Sequence, residues 1–170
     1  RSRCVGEVGG VNPAAGQFFC SGSLLNRVPT DWTPFFQTAR HCGVDTQSDA
    51  DSVLITWNYQ TSTCNGTPPS PAGLPQTSGA VLLVDDAQAD YTLIGLESDV
   101  AVSFFLGWDP NYWSNASAAT GIHHPGGTHK RITFGTKNWD IADSCITGVT
   151  PAWGVYIPDG SGEIEPCSSG

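Results

Sequence analysis

The apolar residues of this chain come in short runs, and this spacing limits the fold more than any other feature. Gly, Pro, Asn and Asp bound these runs, and the chain contains 20 Gly and 12 Pro. No segment has a convincing helical repeat of apolar positions, so we expect no helix. Many short strands separated by turns are typical of sandwiches and barrels, so the sequence predicts an all-β protein. The candidate strands are QFFCSGSLL, PFFQTA, SVLITWNY, AVLLV, YTLIGL, TGIHH, RITFG and WGVYI.

Two segments add detail to this prediction. In SVLITWNY, the side chains of Val53, Ile55, Trp57 and Tyr59 alternate with the others and share one face of the expected strand. The segment NGTPPSPAGLPQTSG is rich in Pro and Gly, and we interpret it as a loop too polar for a core.

A change in strand density near LESDVAVS predicts two structural units. The first unit would span residues 1–98 and carry most of the strands. The second would span residues 99–170 and carry fewer, so it looks incomplete.

Charge and cysteine content restrict the class of protein. The net charge is −9, which argues against a nucleic-acid partner because such partners require a basic patch. The six cysteines are even in number and show no metal-binding spacing, which favours disulfides and a secreted protein. No apolar run has the length of a membrane span, so we predict no membrane partner.

Three short motifs contain residues that catalysis can use. His41 in TARHCG is either a positioned general base or a surface histidine beside a structural cysteine. Asp90 in QADYTLIGL is either a turn-capping acid or the acceptor of a histidine ring N–H. Ser169 in EPCSSG is either a nucleophile or part of a solvated tail. Their order along the chain is that of chymotrypsin-type serine proteases.

The chain also resembles a known family. The segments CSGSLLNR, PFFQTARHCG, WNYQTSTC, DYTLIGL, GWD, IHHPGG with KRI, and EPCSSG resemble, in order, the landmarks of lysyl endopeptidase-like serine proteases. These are secreted bacterial members of the chymotrypsin-like clan. The resemblance extends from about Cys20 to Gly170, and seven landmarks in the same order make it specific.

The resemblance implies two antiparallel β-barrels of chymotrypsin type, the second incomplete in this chain, with an active site between them. It implies His41 as general base, Asp90 as its orienting carboxylate and Ser169 as nucleophile, with an acyl-enzyme intermediate. The implied oxyanion hole consists of the backbone N–H groups of Ser169 and Cys167. The family has Gly where this chain has Cys167, and a side chain there narrows or disturbs the hole.

The resemblance also bears on the cysteines. It implies a Cys20–Cys42 bridge beside the base and a Cys4–Cys64 bridge for the N-terminal arm. The remaining pair would be Cys145–Cys167, for which the family offers no clear counterpart. Six cysteines allow 15 connectivities, so the residues themselves do not settle the pairing.

Substrate choice rests on two acids before the nucleophile, Glu163 and Glu165, at a wall of the clan's primary specificity pocket. A buried carboxylate there would favour a Lys or Arg side chain of a polypeptide substrate. The other interpretation is two solvated loop acids. Since proteins of this clan continue for several strands after the nucleophile, we expect a second polypeptide to complete the second barrel.

Three features of the sequence allow other interpretations. The histidines at 123, 124 and 129 suggest zinc, but neighbours on a strand face opposite ways, so we predict no metal and no cofactor. A protease-like binding or scaffold protein without turnover is the main alternative, favoured by Cys167. A carbohydrate-binding β-sandwich would explain the six Trp and four Tyr but not the order of His, Asp and Ser.

Overall fold

The described strands form two antiparallel sheets. The computed structural model describes residues 5–12, 16–29, 31–98, 100, 104–111, 113–141, 152–162 and 164. The strands are β1 (Val5–Asn12), β2 (Gly16–Leu25), β3 (Phe35–Thr38), β4 (Leu54–Thr56), β5 (Gln76–Ser78), β6 (Ala80–Asp86), β7 (Tyr91–Leu96), β8 (Ala118–His123), β9 (Arg131–Ile141) and β10 (Ala152–Tyr156). The predicted all-β architecture is therefore confirmed.

The larger sheet contains seven strands in the order β5-β4-β1-β2-β3-β7-β6. It curls around one core, in which Trp57, Phe36 and Ile94 are fully buried. The Trp57 ring meets the Phe36 ring edge to face at 5.8 Å, and its indole N–H donates to Thr77 Oγ1 at 2.8 Å. Burial of such large rings dominates core energetics, and the indole N–H needs this acceptor once it leaves water.

The smaller sheet contains three strands in the order β10-β9-β8. A short 3-10 turn, Pro125–Gly127, follows β8 and lies against β2 of the larger sheet. At this junction the backbone N–H of His124 donates to Ser21 Oγ at 2.8 Å. The two sheets thus meet through β2 and the turn after β8.

The expectation of no helix was wrong in one place. A helix, α1, spans Gln47–Ser52. It begins with a capping box in which Thr46 Oγ1 accepts from the backbone N–H of Asp49 and the Asp49 carboxylate accepts from that of Thr46. Capping satisfies N–H groups that a six-residue helix cannot pair internally, which an apolar periodicity does not reveal. None of the helices in the described ranges is long and apolar enough to span a membrane.

The sequence identified most strands but missed β1, which pairs with both β2 and β4. Its sequence, VGEVGGVN, has three glycines and therefore a low strand propensity. Packing explains one of them, because a Cβ on Gly6 would lie 2.5 Å from Ile55 Cγ2. Pairing with the neighbouring strands, rather than the strand propensity of its own residues, therefore determines that β1 is a strand.

Two other segments differ in part from expectation. Strand β4 ends at Thr56, so the expected strand SVLITWNY is shorter, although Val53, Ile55 and Trp57 are buried as expected. The segment interpreted as a polar loop contains β5, and Thr77 within it is buried. The hydroxyl of Thr77 is tolerated in the interior because Trp57 donates to it.

Candidate active site

His41 lies in a tight 3-10 turn, Arg40–Cys42, directly after β3. Gly43 closes this turn in the left-handed conformation, with φ of 86°, and its N–H donates to the carbonyl of Arg40 at 2.9 Å. Glycine adopts this conformation without the strain that a Cβ introduces. The HCG sequence thus fixes where the imidazole emerges from the barrel rim.

Asp90 contacts His41 through both carboxylate oxygens. Oδ2 lies 2.6 Å from His41 Nδ1, and Oδ1 accepts from the backbone N–H of His41 at 2.8 Å. A carboxylate only accepts, so Nδ1 carries a proton, and in the neutral imidazole Nε2 is the nitrogen that presents a lone pair. The Asp90 side chain is 12% exposed and that of His41 is 38% exposed, so the acid is enclosed while the base reaches solvent.

The backbone of Asp90 has a conformation that is uncommon for a residue other than glycine. Its φ is 51°, at the end of the turn that joins β6 to β7, and its carbonyl accepts from the N–H of Arg40 at 3.2 Å. Aspartate tolerates this region better than most residues, and such outliers cluster at functional sites. The backbone and side-chain bonds together join the turns that carry His41 and Asp90.

Arg40 pairs with two further acids beside this dyad. Its Nε lies 2.9 Å from Asp85 Oδ1, and a terminal nitrogen lies 3.2 Å from Asp45 Oδ2. The hydrogen bond to Asp85 raises the pKa of the Arg40 guanidinium. These pairs are solvent-accessible and therefore contribute little stability.

The Cys20–Cys42 disulfide implied by the family resemblance is present. It joins β2 to the turn of His41, with the two Cα atoms 6.1 Å apart, and both residues are buried. Within the described part of the chain, Cys64 is exposed and has no disulfide partner. Cys4 lies outside that part, so the Cys4–Cys64 bridge stays a prediction.

Several predicted site residues lie outside the described residues. These are Ser169, Cys167, Glu163, Glu165 and Cys145. Their roles as nucleophile, oxyanion-hole donors, substrate-binding acids and disulfide partners stay predictions. The structure therefore brings together two of the three predicted triad residues.

His123 and His124, two of the three candidate metal ligands, have other partners. His123 Nε2 lies 2.9 Å from Thr133 Oγ1, and His124 Nδ1–H donates to the carbonyl of Thr128 at 2.9 Å. The ring of Tyr59 stacks on that of His124 at 6.1 Å. Among the described residues, no three His, Cys, Asp or Glu side chains converge as a metal-binding group.

His124 makes stability depend on pH. Its side chain is fully buried, and burial lowers the pKa of the imidazole from 6.5 to about 4, with smaller repulsion from Lys130, His123 and His129. Its Nε2 has no hydrogen-bond partner among the described residues, so an added proton would be unpaired. Because the pKa is lower in the folded state, the stabilisation is complete above pH 6.5 and is lost as pH falls towards 4.

We expect the His124 contribution to the free energy of unfolding to fall by about 3 kcal/mol between neutral pH and pH 4. The measurement is urea unfolding of the wild type and of His124→Gln across this range. The difference between the two proteins isolates His124 from the other titrating groups. A difference that does not change with pH would contradict the assignment.

The protein has a chymotrypsin-like fold, as predicted, with a curled seven-stranded sheet and a smaller second sheet. The His41–Asp90 pair lies at the rim of the larger sheet. The chain belongs to the family described as lysyl endopeptidase, C-terminal domain, whose model matches residues 2–170.

Individual relatives agree with this assignment. The chain is 32% identical over 123 residues to the lysyl endopeptidase of Pseudomonas aeruginosa, an alignment that covers 71% of this chain and 26% of that protein. The chain thus spans about a quarter of the length of this curated relative.

Solved structures share the fold at low sequence identity. The inactive form of the Rv3671c protease matches with a TM-score of 0.64 and 11% identity, covering 99% of this chain and 70% of that one. The active form of that protease from M. tuberculosis matches with a TM-score of 0.59 and 13% identity, covering 91% and 57%. The HtrA-type protease AlgW with a tripeptide matches with a TM-score of 0.55 and 12% identity, covering 87% and 40%.

Proposed function

We propose that this chain is the catalytic part of a secreted serine endopeptidase, with His41, Asp90 and Ser169 as its triad. The observation that carries the proposal is the 2.6 Å contact between His41 Nδ1 and Asp90 Oδ2 in a member of this family. In the neutral imidazole this contact places the proton on Nδ1, so Nε2 is the nitrogen that can act as general base. The protease relatives give the alternative of a scaffold protein without turnover no support.

In the proposed reaction, Ser169 Oγ attacks the scissile carbonyl carbon while its proton moves to His41 Nε2. The backbone N–H groups of Ser169 and Cys167 stabilise the negative oxygen of the tetrahedral intermediate. His41 then donates the proton to the leaving amine, and an acyl-enzyme remains. Water attacks the acyl group with His41 again as base, and Ser169 recovers its proton.

The Asp90 carboxylate keeps the imidazole in the tautomer that this sequence of proton transfers needs. It also stabilises the imidazolium formed at each tetrahedral intermediate. The low exposure of Asp90 supports this role, because a carboxylate shielded from water acts on its neighbour with less screening.

We infer that the substrate is a polypeptide cleaved after a basic residue. Support comes from the lysyl endopeptidase relative and from Glu163 and Glu165, which precede the proposed nucleophile. A carboxylate in the specificity pocket attracts a Lys or Arg side chain through a charge-assisted contact. The Cys20–Cys42 bridge supports secretion, because disulfides persist in oxidising compartments.

Labelling with a fluorophosphonate probe tests the nucleophile, with the modified peptide identified by mass spectrometry. We expect the label on Ser169, its loss in Ser169→Ala and its retention in Ser168→Ala, the matched neighbour. Hydrolysis of a lysine ester but not of the matched norleucine ester would support basic specificity. An unlabelled but folded protein would overturn the proposed function.

A further inference from the structure

Glu7 is an acid that the sequence analysis did not single out. It lies on β1, opposite Ser21 on β2 and Thr56 on β4. Its neighbour Val8 faces the core, so Glu7 faces the opposite side of the sheet, towards the turn after β8. A Cβ on Gly127 of that turn would lie 3.7 Å from Glu7 Oε1, so the turn covers the carboxyl group closely.

The Glu7 side chain is largely buried and has no partner among the described residues. The residue is only 6% exposed, and its side chain has no hydrogen bond or ion pair with any described residue. Desolvation raises the pKa of Glu7 from 4.5 to about 7. A buried acid without a partner is costly in its ionised form, and a cation that reached it would restore that form.

A cavity of about 190 Å³ opens onto this carboxyl group. Its lining residues are Glu7, Gly9, Gly10, Phe19, Ser52, Leu54 and Thr56. Two of its walls are apolar, and these side chains remain accessible: Phe19 is 45% and Leu54 is 39% exposed. The cavity therefore combines an apolar entrance with a single buried acid.

We propose that this cavity binds the ammonium or guanidinium group of a lysine or arginine side chain from a bound polypeptide. The methylene stem of such a side chain packs on Leu54 and Phe19 while its charged end reaches Glu7. The Phe19 ring adds a cation–π contact. A net charge of −9 favours the approach of a basic ligand.

The donor set favours an organic cation over a metal ion. Calcium requires six to eight oxygen ligands, whereas this cavity offers one carboxylate and two hydroxyl groups. The hydroxyl of Thr56 also accepts from Gln76 Nε2 at 3.3 Å. An ammonium group needs only the carboxylate and the neighbouring acceptors.

The cavity is linked covalently to the turn of His41. Phe19 precedes Cys20, which is bonded to Cys42, the residue after His41. The polypeptide that His41 acts on is the proposed source of the cation. This source of the ligand rests on the proposed function, whereas the cation site itself does not.

Carbon-13 NMR of the glutamate side-chain carboxyl groups tests the site in the full chain. The sequence contains four glutamates, and Glu7→Gln assigns the Glu7 signal. We expect Glu7 to titrate near pH 7 in the free protein. Saturating butylammonium should lower this titration midpoint by about one pH unit or more, which corresponds to a tenfold decrease in proton affinity. The exposed Glu97 is the internal reference, and Glu97→Gln is the matched control that keeps the response.

A second arm identifies the source of the cation. In Ser169→Ala protein, which the proposed reaction cannot consume, a lysine-containing peptide should shift the Glu7 signal and its norleucine analogue should not. If butylammonium left the titration midpoint of Glu7 unchanged, the proposed cation site would be wrong. If Glu7 responded to butylammonium but not to the lysine peptide, a polypeptide would not be the source of the cation. If Glu7 responded to butylammonium but fluorophosphonate did not label the protein, the cation site would stand and the proposed hydrolase function would be wrong.

Discussion

His41→Ala is expected to lower kcat by about a millionfold. The variant removes the group proposed to accept the Ser169 proton and to protonate the leaving amine, so both acylation and deacylation lose their proton carrier. The measurement is kcat for a lysine ester with the wild type and the variant. Fluorophosphonate labelling of Ser169 should slow in parallel, because it depends on the same base.

The fold is expected to survive this change. The His41 side chain is 38% exposed and makes no contribution to the apolar core. The thermal midpoint of unfolding and the intact Cys20–Cys42 bridge serve as controls for His41→Ala. If the folded variant retained ordinary turnover, the assignment of His41 as the base would be wrong.

Asp90→Asn is expected to lower kcat by about ten-thousandfold with little change in KM. The amide can donate a hydrogen to Nδ1, which stabilises the tautomer with the proton on Nε2 and removes the acceptor that Ser169 needs. The amide also fails to stabilise the imidazolium. The measurement is the pH dependence of kcat and KM, because a merely structural role of Asp90 would not change the tautomer of His41.

Asp51→Asn is the matched control for this substitution. Asp51 is an exposed acid of α1 whose Oδ1 accepts from Gln47 Nε2, so the same chemical change there should leave kcat unchanged. A decrease of similar size in both variants would point to a loss of fold rather than of catalysis. Asp90→Asn with wild-type kcat would show that the 2.6 Å contact has no catalytic role.

The clearest sequence patterns correspond to the elements seen in the structure. YTLIGL is β7 residue for residue, and Thr92, Ile94 and Leu96 alternate as buried positions along it. The order of the His41 and Asp90 motifs and their resemblance to the protease family also identified two residues that the fold brings together. Alternation is a local signal because it acts within a few positions, whereas each of these two motifs by itself also allows a non-catalytic interpretation.

Other features had no local signal of this kind. Strand β1 is glycine-rich, and it forms because β2 and β4 pair with both of its edges. Helix α1 depends on a reciprocal cap between Thr46 and Asp49, which its apolar pattern does not indicate.

The strand-rich class follows from the sequence pattern, and the Cys20–Cys42 bridge and the His41–Asp90 pair follow from the family resemblance. The desolvation of Glu7 arises only in the folded chain, because Ser21, Thr56 and Gly127 lie around it from three separate parts of the sequence. Burial is a property of the assembled packing around a residue. A charged side chain in a glycine-rich strand therefore looks solvated in the sequence and becomes a buried acid only in the fold.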